Sequence, residues 1–219
     1  MDLIAIQAEQ VAWSTKNFGQ QHERYPLLGM IEELLEFDEA WKLQQEAAAN
    51  RSMTKEDRAA LLSPELNQEV DDAAYAKLRA EVLDAIGDIS IYMLDYCGKR
   101  GLQLNTLWNE RAFSDDRGRT RWHDLAPLAR RLAHHQLKGE QGIRGLPEEH
   151  LRQIDLTCRA ILAHLEFICR YLEVDFLAIL GAVWAKVSKR DWTKNKNNAH
   201  EVAEQQVIDG SKMAKNNDP

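Results

Sequence analysis

Four carboxylates in two short stretches are the residues best suited to chemistry in this chain. Glu33 and Glu36 stand three apart in Ile31-Glu32-Glu33-Leu34-Leu35-Glu36, and Asp84 and Asp88 stand four apart in Leu83-Asp84-Ala85-Ile86-Gly87-Asp88-Ile89. On a helix these spacings put each pair on one face. Leu34, Leu35 and Phe37 flank the first pair and Ile86, Ile89 and Ile91 the second, so both pairs are expected at or near a buried interface. A carboxylate removed from water must be paired or must hold a cation. If the two segments pack together, up to four carboxylates converge on an oxygen-only site of the kind Mg²⁺ occupies. A lone Glu-x-x-Glu is more often a solvated helix face; the apolar flanks and the second pair favour the cation site.

Long helices must position these acids. One is expected from about Leu27 to Ala49, with Pro26 in its first turn, and another from about Asn67 to Cys97, stopping at Gly98. Gly87 inside the latter costs about 1 kcal/mol relative to Ala. The usual compensation is close approach of another backbone or a ligand, here beside Asp88. Asp2 caps a first helix whose apolar positions Leu3, Ile4, Ile6, Val11 and Trp13 keep helical spacing, ending near Phe18-Gly19. Further helices are expected from about Asn105 to Phe113, Leu125 to Leu137, Pro147 to Leu172 and Asp175 to Ser188, with a Gly-rich loop from Lys138 to Gly145. Strand-like alternation is absent, so the expected class is an all-α helical bundle.

The organisation reads as two diverged tandem halves. Residues 1–113 carry the acids, with 44–80 as a helical insertion; 122–192 form a second half without them; 195–219 form a polar, disordered tail. Each half has a long helix ending in a cysteine (Cys97, Cys169), a break, and a shorter helix with one tryptophan (Trp108, Trp184). The two Cys-to-Trp spacings differ by one helical turn. Where the first half has acids, the second has Arg130, Arg131, His134, His135, Ala160 and His164.

Composition narrows the class further. Lys and Arg total 28 against 35 Asp and Glu, a net charge of −7, which argues against a general binder of nucleic-acid polymers. No charged-then-apolar leader and no long apolar run occurs in these 219 residues, so neither secretion nor membrane spanning is expected. Cys97, Cys158 and Cys169 lack metal-ligand spacing and read as reduced core residues of a cytoplasmic protein.

Glu32-Glu33-x-x-Glu36, followed by a Gly-Asp motif on the next long helix, resembles the MazG-like all-α nucleoside triphosphate pyrophosphatase superfamily, which includes the dimeric dUTPases. The Asp84-x-x-x-Asp88 arrangement, with Ala85 where the commonest form has Glu, is similar to its phage and bacterial MazG-like branch. Three further stretches carry the same resemblance: Trp13-Ser14-Thr15-Lys16-Asn17-Phe18-Gly19; His135 to Lys138 with Gln141-Gly142-Ile143-Arg144-Gly145; and Val183-Trp184-Ala185-Lys186 through Arg190-Asp191-Trp192.

The resemblance implies cleavage of a (d)NTP to the monophosphate and pyrophosphate, dependent on Mg²⁺ or Mn²⁺. Glu33, Glu36, Asp84 and Asp88 would hold the metal, with Glu32 as a further catalytic acid that a helix turns about 100° aside. Asn17 would read the base beside Trp13 or Phe18, and Lys138, Arg144, Lys189 and Arg190 would hold phosphates. A homodimer or an intrachain pseudo-dimer is expected. One rival is a di-iron oxidase, which needs Glu-x-x-His on two helices; no histidine here has Glu three residues before it. The stronger rival is a nucleotide-binding or regulatory helical module weakened in catalysis by Ala85.

Overall fold

The computed structural model describes residues 2–52, 72–109 and 125–194. Among these residues it is all-α, with no strand: α1 (Leu3–Phe18), α2 (Arg24–Ser52), α3 (Asp72–Lys99), α4 (Leu104–Asn109), α5 (Ala126–Gln141), α6 (Pro147–Tyr171) and α7 (Phe176–Val187).

Local signals set most of the boundaries. The Asp2 carboxylate accepts a hydrogen bond from the Ile4 backbone N–H at 3.0 Å, and Gly19 ends α1 at φ 69°. Asp175 caps α7 in the same way, through the Ala178 N–H at 2.7 Å. α5 runs about one turn beyond the expected Leu137, so Lys138 and Gly139 are helical, and the chain turns at Gly142 in the left-handed region.

The most extensive packing joins α2 to α3. Leu27, Met30, Leu34, Phe37 and Trp41 are buried at heptad-like spacing on α2, and so are Val82, Ile86, Ile89 and Met93 on α3. Each side chain fully buried this way contributes about 1.5–3 kcal/mol of transfer free energy. Within the expected insertion 44–80, the described residues simply continue this helix pair, joined by Gln44 Nε2 donating to the Tyr75 hydroxyl at 2.8 Å. Residues 53–71, the connector 114–121 and the tail from 195 lie outside the described residues.

The helices of residues 125–194 pack on one another and on those of the preceding residues. α5 pairs with α6 as α2 pairs with α3, and α2 also contacts α5. α4, which follows α3, packs on α6, while α7, which follows α6, packs on α3. Trp108 and Phe176 stack where the short helices meet, at 4.6 Å between ring centres. Buried residues of both halves form one core cluster. The three cysteines are free and buried in it. No helix among the described residues is long and apolar enough to cross a membrane.

Candidate active site

The α2–α3 pair delivers all four singled-out carboxylates to one place. Glu33, Glu36, Asp84 and Asp88 line a groove of about 390 Å³, together with Glu39, Glu81 and Ala85. The same four line an adjoining cavity of about 460 Å³ that extends towards α1 and the end of α7. The carboxylates are therefore the shared wall of two joined spaces.

Two glycines bring the other walls close. A Cβ on Gly87 would lie 2.2 Å from Val183 Cγ2, so only a glycine lets α7 settle onto α3 at this point. One turn along from that contact, Lys186 meets Asp84, with Nζ 3.0 Å from Oδ1 and from Oδ2. A Cβ on Gly29 would likewise lie 2.3 Å from the Tyr92 ring, which sits beside Glu33 and lines the larger cavity.

The electrostatics follow from this crowding. Burial, then the charges of Asp88, Glu36, Glu32 and Asp84, push the Glu33 carboxyl up to about 7. Burial and the Asp84 charge push Asp88 up to about 6, against the pull of Arg190 and Lys186. Tyr92 rises to about 12 through burial and the charge of Glu33. The acidic wall is thus short of positive charge even with Lys186 and Arg190 in the cavity.

The far end of the cavity is aromatic. Trp13 stands edge-on to Phe18 at 5.6 Å and to Trp184 at 6.1 Å, and Phe18 lies 6.3 Å from Trp192. Two glutamines on α1 contrast sharply. Gln7 is fully used, with Nε2 donating to the Leu102 carbonyl at 2.6 Å and Oε1 accepting from the Leu104 N–H at 2.8 Å. Gln10 lines the cavity at 1% exposure, and its Oε1 has no hydrogen-bond partner.

The other sequence candidates are placed variously. Arg190 lines the cavity, whereas Lys189 and the exposed Glu32 do not. Both ends of the Asn17 amide are engaged: Nδ2 donates to the Trp13 carbonyl at 2.9 Å, and Oδ1 accepts from the Trp192 N–H at 2.7 Å. Asn17 thus ties the chain after α7 to α1 and supports the aromatic end. Lys138 and Arg144 lie outside both spaces lined by the acids, at the α5–α6 turn; the Lys138 ammonium donates to Gln141 Oε1 at 3.0 Å. That Gly-rich turn is folded around His150, whose Nε2–H donates to the Ile143 carbonyl at 3.1 Å and whose ring packs on Gly139 and Gly145. His135 Nδ1 lies 3.1 Å from His150 Nδ1, within hydrogen-bond distance. Lys186 and Gln10 were not among the sequence candidates.

Among the described residues, no three His, Cys, Asp or Glu side chains stand close enough to one point to hold a metal ion as placed. The donor chemistry nevertheless fits a hard divalent cation. Four carboxylates share one wall, and burial together with the charge of neighbouring carboxylates makes two of them resist ionisation. Glu33, Glu36, Asp84 and Asp88 are the residues that would hold such an ion, which would supply the positive charge that an anionic ligand needs beside an acidic wall. No protein-family model, no curated protein and no solved structure matches this chain.

Proposed function

We propose that the protein is a Mg²⁺- or Mn²⁺-dependent nucleoside triphosphate pyrophosphohydrolase of MazG-like type, converting a (d)NTP to (d)NMP and pyrophosphate. The observation that carries this reading is one cavity with three kinds of wall: carboxylates from α2 and α3, the cations Lys186 and Arg190, and an aromatic end beside the buried Gln10. A nucleoside triphosphate has the complementary parts in the same order. Its phosphates need cations, and its base needs a flat apolar face and a hydrogen-bond partner.

Glu33, Glu36, Asp84 and Asp88 would hold the divalent ion, which would supply neutralisation of phosphate charge and activation of the attacking water. Lys186 and Arg190 bind the oxygens of the leaving pyrophosphate. Trp13, Phe18 and Trp192 offer faces to the base, and Gln10 Oε1 accepts from a base N–H. The water oxygen attacks the α-phosphorus, the bond to the bridging oxygen breaks, and the water's proton passes to a carboxylate of the acidic wall. The reciprocal packing of the two halves favours an intrachain pseudo-dimer in which only the first half is equipped for turnover.

A second reading, a module that binds nucleotide without cleaving it, is favoured by Ala85. This residue stands on the acidic wall and supplies no ligand. Incubation with a panel of (d)NTPs and Mg²⁺, with separation of monophosphate, diphosphate, pyrophosphate and orthophosphate, distinguishes the two. Monophosphate and pyrophosphate in equal amounts support the enzyme; saturable binding without products supports the module.

A further inference from the structure

Lys186 occupies the very carboxylate that the acidic wall would offer to a cation. Its ammonium sits in the fork of Asp84, 3.0 Å from each oxygen. The contact is set by helix docking rather than by chance meeting of two flexible side chains. Val183 seats on Gly87, and Lys186 lies three residues beyond Val183 while Asp84 lies three before Gly87. One turn of each helix therefore carries the lysine to the aspartate. The pair is half-exposed, with the Lys186 side chain at 57% and that of Asp84 at 44%, so it is a weak, displaceable ion pair. It lies nevertheless on the same cavity wall as Glu33 and Asp88, whose ionisation burial and neighbouring carboxylates oppose.

We propose that Lys186 is an internal stand-in for the divalent ion. The ammonium holds Asp84 in the metal-free protein and leaves it when the metal binds, so the two are mutually exclusive on that carboxylate. A cation bonded to either Asp84 oxygen would lie within a few ångströms of the ammonium, and two positive charges at that separation repel. The lysine then swings away with its charge intact and is released into the cavity, where the anionic ligand lies. Metal thus both fills the site and arms it. Both Asp84 oxygens are turned to Lys186. Gln10, which lines the same cavity, is buried with a side-chain oxygen that has no protein partner. The inference rests on the carboxylates being a divalent-cation site.

The test is calorimetric titration of the full chain with Mn²⁺, without nucleotide, for the wild type, Lys186→Gln, Asp84→Asn and the double variant. Removing the competitor tightens Mn²⁺ by roughly two- to five-fold, the factor an exposed ion pair supplies. The same substitution leaves affinity unchanged once Asp84 is Asn. Equal tightening in both backgrounds means that Lys186 acts only through its general field and overturns the proposal. Should Asp84→Asn bind no ion, acylation of Lys186 in the wild type, followed by peptide mass, decides. The rate rises on saturation with Mn²⁺ if the ammonium leaves Asp84, and an unchanged rate overturns exchange while sparing the cation site. A wild type that binds no Mn²⁺ overturns both.

Discussion

Gly87 and Val183 are in such close apposition that the glycine is the seat of α7: an added Cβ would lie 2.2 Å from a valine methyl. The valine cannot swing aside, because a β-branched side chain has little χ1 freedom. Gly87→Ala would gain about 1 kcal/mol of helix propensity. Overpacking costs about 1–3 kcal/mol, and α7 moves outward with Lys186 and Arg190. We expect a net loss of up to about 2 kcal/mol in urea unfolding together with weakened nucleotide binding. Val183→Ala added to Gly87→Ala should restore much of both. Unchanged binding in Gly87→Ala would show that α7 does not position the cations.

The acidic wall should make the metal-free protein less stable as pH rises. Glu33 is raised from 4.5 to about 7 and Asp88 from 3.8 to about 6, so the native state binds these protons more tightly than the unfolded chain. Stability from these groups is fully present below the ordinary carboxylate range and is lost as pH climbs through about 6 and then about 7. Thermal unfolding in a chelator should show the wild type losing ground to Glu33→Gln across that window. Mg²⁺, which needs the ionised carboxylates, should stabilise more at pH 8 than at pH 5. A wild-type-minus-variant difference that is flat with pH would mean that Glu33 is not crowded in solution.

Gln10 and Gln7 should respond oppositely to the same change. Gln7→Leu strands the Leu102 carbonyl and the Leu104 N–H in a buried setting and should cost about 1–3 kcal/mol of stability. Gln10→Leu removes an oxygen that no protein group uses and should change stability by less than about 1 kcal/mol. Its effect should instead fall on KM, raised about ten-fold or more for bases that present an N–H to it. Equal KM values across the nucleotide panel for wild type and Gln10→Leu would remove Gln10 from base recognition.

The helix pair and its acids were legible because both rest on local rules. Heptad-like apolar spacing from Leu27 to Trp41 and from Val82 to Met93 marks the buried faces, and the carboxylates ride beside them. Gly87 was legible as a point of close approach, though not what approaches it. Lys186 could not be read as a cavity residue, because its place depends on docking between segments about a hundred residues apart. Lys138 and Arg144 read as phosphate ligands from their glycines; the structure puts them away from the acid-lined cavity, where Gly139 and Gly145 make room for His150. Asn17 carried the right chemistry for a base, and its amide also ties α1 to the chain after α7 through Trp13 and Trp192, a role with no local signal. Gln10 gave no local signal, since an unpaired buried oxygen exists only once the helices are packed.

The claim on which the account stands is that Glu36 of α2 and Asp88 of α3 work together on one divalent ion. The most direct test is pyrophosphate release from the best (d)NTP of the panel, with Mg²⁺ and with chelator, by the wild type, Glu36→Ala and Asp88→Ala. Loss of a partner one shell out from a metal already costs about 10- to 100-fold. Each variant should therefore lose about 100-fold or more, the double variant little more than either single one, and chelator should abolish the wild-type rate. Release that persists in chelator, or survives in both single variants, would contradict the account.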